Sequence, residues 1–115
     1  MVKFRQKQDN EQILYDSAKS KLDGFIKNCE KFKIGKTGQT LKERFNQYLC
    51  DEDDFNSIEC LYQSESKDVI SKLESSLIDA YINDSKCQNL KDGKQSENDR
   101  MDVEAEKYSV YVVLK

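Results

Sequence analysis

Lys33, Lys36, Thr37 and Arg44 are spaced so that two cations and a hydroxyl can surround one anion. The stretch Lys33-Ile34-Gly35-Lys36-Thr37 is a short apolar strand that breaks at a glycine. A loop then leads into Leu41-Lys42-Glu43-Arg44, the first turn of a helix, whose start offers open backbone N–H groups as well. Further on, Glu74 supplies a carboxylate and Asn89 an amide that could complete such a site. The chain has no histidine, so acid–base chemistry here has to use tyrosine, lysine or a carboxylate.

The elements that must hold these residues follow from periodicity and caps. Asp9-x-x-Gln12 resembles a capping box, which predicts a helix over 9–28 with Ile13, Leu14, Ala18, Leu22, Phe25 and Ile26 as its apolar stripe, preceded by a frayed 1–8. Residues 31–36 read as a strand with Phe32 and Ile34 on one face. Thr40-x-x-Glu43 is a second capping box, opening a helix with Leu41, Phe45, Tyr48 and Leu49 as its packing stripe. Asp51 to Asn56 is an acidic loop. Residues 57–62 alternate as a strand, with Ile58, Cys60 and Tyr62 on one side. Ser66 caps a helix reaching about Asn83, with Val69, Ile70, Leu73, Leu77, Ile78 and Tyr81 along its apolar face. Residues 84–106 form a long polar loop in which only Leu90, Met101 and Val103 are apolar anchors. Residues 107–115 are apolar on both faces and predict a central strand. The fold class is α+β: a single domain over 1–115 with a small three-stranded sheet covered by helices.

Bulk properties narrow the partners. The net charge is −3, which counts against a whole-protein footprint for nucleic acid and leaves only a local basic patch around Lys31, Lys33, Lys36, Lys42 and Arg44. The four cysteines (29, 50, 60, 87) have no C-x-x-C spacing, so a structural zinc site is not expected. No secretory h-region and no membrane-length apolar run are present, which reads as an intracellular protein with reduced, mostly buried thiols.

In this order the motifs resemble a known family. KIGKTGQTLKERFNQY (33–48) resembles the second strand and first helix of the GIY-YIG nucleases. DVISKLESSLIDAY (68–81) is similar to their glutamate helix, and CQNL (87–90) to their asparagine motif. The family's first strand, a Gly-Ile-Tyr-like segment, is absent ahead of residue 31. Its counterpart here is Ser109-Val110-Tyr111-Val112-Val113, at the other end of the chain. A circular permutation is therefore expected, with this mainly antiparallel sheet completed by the C-terminal strand lying against 31–36 and 84–106 as the tether.

The resemblance implies a metal-dependent DNA endonuclease that hydrolyses phosphodiester bonds with one divalent cation per site, usually Mg²⁺. It implies Arg44 on the scissile phosphate, Glu74 as metal ligand, and Tyr111 activating or orienting the attacking water through a lowered pKa. Lys33 stands where the second tyrosine is more usual. Lys36, Thr37 and Asn89 are implied on the substrate-binding side, with Asn89 positioning structure. Sequence specificity would come from this domain, a homodimer or a partner protein. Plain readings stand beside these: a sheet tyrosine at 111, an Arg44–Glu74 ion pair, a turn glycine at 35 and a capping asparagine at 89. The alternative function is a catalytically degenerate module that binds nucleic acid or protein without cleavage. A third is an unrelated interaction module with 51–54 and 97–106 as acidic docking segments.

Overall fold

The computed structural model describes residues 2–50, 54–89 and 105–115, with side chains from residue 11 onward. Three helices and three strands alternate along it: α1 (Val2–Ile26), β1 (Phe32–Thr37), α2 (Leu41–Cys50), β2 (Ser57–Ser64), α3 (Lys67–Tyr81) and β3 (Tyr108–Leu114). Residues 51–53 of the expected acidic loop 51–56, the anchors Leu90, Met101 and Val103, and most of the tether 84–106 lie outside the described residues.

The C-terminal strand is central. The sheet order is β1-β3-β2, with β3 antiparallel to both neighbours. All seven β3 residues are buried, as expected of a strand apolar on both faces. Its register sets Gly35 opposite Tyr111 and Ile34 opposite Val112. Alternation then divides the sheet into two sides. Phe32, Ile34, Val110 and Val112 join Leu22, Ile70 and Leu77 in the main core under α1 and α3. Tyr111 and Val113 join Tyr48 and Phe55 in a smaller core under α2.

Both later helices start where their caps predict. Thr40 Oγ1 accepts from Glu43 N at 3.2 Å while Glu43 Oε1 accepts from Thr40 N at 3.4 Å. Ser66 Oγ accepts from Val69 N at 3.3 Å. Such caps stabilise a helix by roughly 0.5–2 kcal/mol.

Four expectations are corrected. α1 begins at Val2, so Asp9 and Gln12 lie inside the helix rather than at its start, and residues 2–8 are helical. Of its predicted stripe, Ala18, Leu22 and Ile26 are buried but Ile13 is 60% exposed. In β2 the register shifts between Cys60 and Tyr62. Leu61 is the extra residue of a β-bulge, which moves Tyr62 to the opposite face from Ile58 and Cys60. Of the thiols, only Cys87 is buried, and none of the four is in a disulfide.

The described start of the tether is pinned rather than loose. Phe32 N donates to Lys86 O at 3.0 Å and Gln88 N to Phe32 O at 2.8 Å. Phe32 and Cys87 form a parallel bridge. Residues 86–89 thereby close the outer edge of β1, whose backbone groups would otherwise lack ladder partners. Among the described residues no helix is long and apolar enough to cross a membrane.

Candidate active site

Arg44 is the charged group held most deliberately. It sits on the buried face of α2 with Tyr48 one turn later, and is 8% exposed. Its Nε donates to Tyr111 Oη at 2.8 Å and its Nη1 to Gln47 Oε1 at 2.7 Å. The guanidinium carbon lies 4.7 Å from the Tyr48 ring centroid, a cation–π contact worth on the order of 0.5–2 kcal/mol as water is excluded. A buried cation needs such partners, since desolvation without them is costly. Two of its five N–H donors are engaged by these bonds.

Tyr111 is the hub. Its hydroxyl lies 2.8 Å from Tyr48 Oη as well as from Arg44 Nε. Arg44 can only donate, so the Tyr111 oxygen accepts there and exchanges the second bond with Tyr48. The ring crosses over Gly35. A Cβ at that position would fall 2.5 Å from Tyr111 Cζ and 2.9 Å from Cε1. Gly35 is thus a glycine because the tyrosine needs the space. Burial pushes the phenol well above its ordinary value; the neighbouring Tyr48 adds to the rise, and Arg44 opposes it without reversing it. The groups of this chain by themselves thus hold Tyr111 protonated, with its oxygen orienting Arg44.

Glu74 lies on the other side of the sheet. It occupies the buried face of α3 among Ile70, Leu73 and Leu77, 5% exposed. Its Oε1 is 3.6 Å from Lys36 Nζ, which also reaches Ser71 Oγ at 3.5 Å. Among the described residues the ion pair of Glu74 is with Lys36 rather than the Arg44 of the plain reading. Gly35 and Lys36 are consecutive in β1, about 3.8 Å apart at Cα, so the two pairs flank one edge strand at the same level on opposite faces.

Asn89 is tied to that strand. Its Oδ1 accepts from Ile34 N at 2.9 Å and its Nδ2 donates to Ile34 O at 2.8 Å. The side chain imitates a neighbouring strand and fixes the edge just before Gly35. Thr37 is fully buried and its Oγ1 accepts from Gln39 N at 3.0 Å, so it shapes the turn into α2. Lys33, half-buried, points to the same face as Gly35 and Tyr111.

Comparisons of this chain with protein-family models, curated proteins and solved structures find no match. The reading of the site rests on its own geometry.

Sequence reasoning missed Tyr48, Gln47 and Ser71. Tyr48 was expected only to pack, yet it completes the hydroxyl–guanidinium cluster. Its signal was available: Arg44, Gln47 and Tyr48 are spaced i, i+3, i+4, which brings them together on a helix.

Proposed function

We propose that the protein is a metal-dependent phosphodiesterase acting on DNA through the edge of β1 near Gly35 and Lys36. The observation that carries this reading is the Arg44–Tyr111 bond across Gly35. It joins the loop-and-helix motif to the C-terminal strand, as the permuted GIY-YIG resemblance requires.

Arg44 would grip the scissile phosphate with the donors that Tyr111 and Gln47 leave over, its plane held by the two tyrosines. Lys36 and Lys33 would add positive potential from the two faces of the strand. Among the described residues no three acidic or cysteine side chains gather as a metal cluster, so Glu74 is the carboxylate on offer. One carboxylate suits a hard ion such as Mg²⁺, which retains waters and takes phosphate oxygens from its substrate. A divalent cation supplies Lewis acidity and a more acidic water at that point.

A second reading is favoured by a specific feature. Glu74 is buried against an ammonium and Tyr111 is held neutral, an arrangement that grips an anion without activating water. One experiment separates the two. Supercoiled plasmid incubated with the protein and Mg²⁺ should be nicked, with the rate falling at least ~100-fold in Glu74→Gln and in Arg44→Ala. Nicking that persists in Glu74→Gln would remove Glu74 from the site. Binding without nicking, lost in Arg44→Ala, identifies the degenerate module.

A further inference from the structure

We infer, resting on the phosphodiesterase reading of this site, that the ammonium of Lys36 holds the place of the divalent cation between Glu74 and Ser71. The metal enters only as Lys36 leaves, and a DNA phosphate that draws Lys36 away promotes the exchange.

Two oxygens converge on one nitrogen. Lys36 Nζ lies 3.6 Å from Glu74 Oε1 and 3.5 Å from Ser71 Oγ. Ser71 and Glu74 are three residues apart on α3, a spacing that sets both side chains on one face of the helix. A carboxylate and a hydroxyl are hard oxygen donors, of the kind that Mg²⁺ and Mn²⁺ accept alongside water. The chain's own cation thus sits where the donor set suits a metal. Ser71 becomes a second ligand beside Glu74.

The two partners differ in how firmly they are held. The Glu74 side chain is 6% exposed and that of Lys36 19%. Glu74 is fixed on the buried face of α3 with Ile70, Leu73 and Leu77. A carboxylate so placed is costly without a cation beside it. Lysine meets that need reversibly, because its charge rides on a flexible four-carbon stem. An ammonium and a divalent ion repel each other at one carboxylate, so the two compete. Phosphates at the edge of β1 compete for the same ammonium. Substrate and metal therefore favour each other, by the same factor in both directions.

Mn²⁺ binding to the full chain at fixed pH, read from the spin resonance of the free ion, tests this. Lys36→Met should bind Mn²⁺ at least ~10-fold more tightly than the wild type. Lys36→Arg keeps the counter-charge and grips the carboxylate with a planar fork, so it should bind more weakly than the wild type. Circular dichroism checks that each variant is folded. In the Lys36→Met background, Ser71→Ala should weaken binding and Glu74→Gln should abolish it. A phosphorothioate duplex, which resists hydrolysis, should tighten wild-type Mn²⁺ binding at least ~5-fold beyond its own uptake. It should have no such effect on Lys36→Met. If Glu74→Gln leaves the affinity unchanged, the ion lies elsewhere, and the phosphodiesterase reading falls together with this one. If Glu74→Gln abolishes binding but Lys36→Met fails to tighten it, Lys36→Arg fails to weaken it, Ser71→Ala has no effect, or the duplex acts equally on both chains, the exchange alone is overturned.

Discussion

Tyr111 has its ring over Gly35 and its hydroxyl shared between Arg44 and Tyr48. It couples residues 35, 44 and 48 through one oxygen, so its protonation state controls all three. Its folded-state pKa is raised, chiefly by burial. The neutral phenol is the form that the fold accepts. Its contribution to stability is therefore complete below the unfolded value of about 10 and is lost as pH rises through the higher folded value. Tyr81 shifts the same way through burial and its bond to Asp23. Of the six tyrosines, these two should not ionise while the chain stays folded. Absorbance of tyrosinate against pH should show a late, cooperative step coincident with loss of circular dichroism. Tyr111→Phe should shrink that late step by one phenol. A single smooth titration in the folded protein would show that Tyr111 is reachable by hydroxide and not the buried hub described above.

At the scale of elements, the edge of β1 depends on side-chain chemistry from elsewhere in the chain. Asn89 closes two buried backbone bonds of Ile34, and residues 86–88 close those of Phe32. Asn89→Ala strands both Ile34 groups and should destabilise the protein by about 2–4 kcal/mol, at on the order of 1–2 per buried group left unmade. Asn89→Asp keeps the acceptor for Ile34 N but sets a carboxylate against Ile34 O, so it should rescue only part of the loss. Denaturant unfolding measures both, and amide exchange at Ile34 should accelerate well beyond that at Val112. How much of this was legible in the sequence depends on range. The helices and strands announced themselves through periodicity and caps, and Tyr108–Leu114 through apolarity on both faces. The bulge at Leu61 inserts one residue and leaves no local signature. Nor does the pairing of 86–88 with Phe32, because backbone bonds between segments more than fifty residues apart carry no side-chain pattern. The early start of α1 was hidden because a polar helix has no stripe to count.

For the whole molecule, the central place of β3 was legible and the sidedness of the site was not. Arg44 and Tyr111 share the α2 face, while Glu74 and Lys36 share the α3 face; no spacing along a chain reveals which face of a sheet a distant helix covers. The consequence for DNA is quantitative. With a net charge of −3, the protein as a whole repels a polyanion, and attraction must come from the few cations around Gly35. If Arg44, Lys36 and Lys33 each neutralise one phosphate, log K should fall against log salt with a slope of about −2.7, from −0.9 for each contact. Affinity at physiological salt should then stay in the weak, sequence-independent range of roughly 10⁻⁴–10⁻⁶ M. Fluorescence anisotropy of a labelled duplex between low and moderate salt reads both quantities. Arg44→Ala should reduce the slope by about 1, and Lys36→Ala should do the same while releasing Glu74 from its ion pair. A wild-type slope steeper than about −5 would mean that a different basic surface meets the DNA, and the edge of β1 would lose its claim to the phosphate.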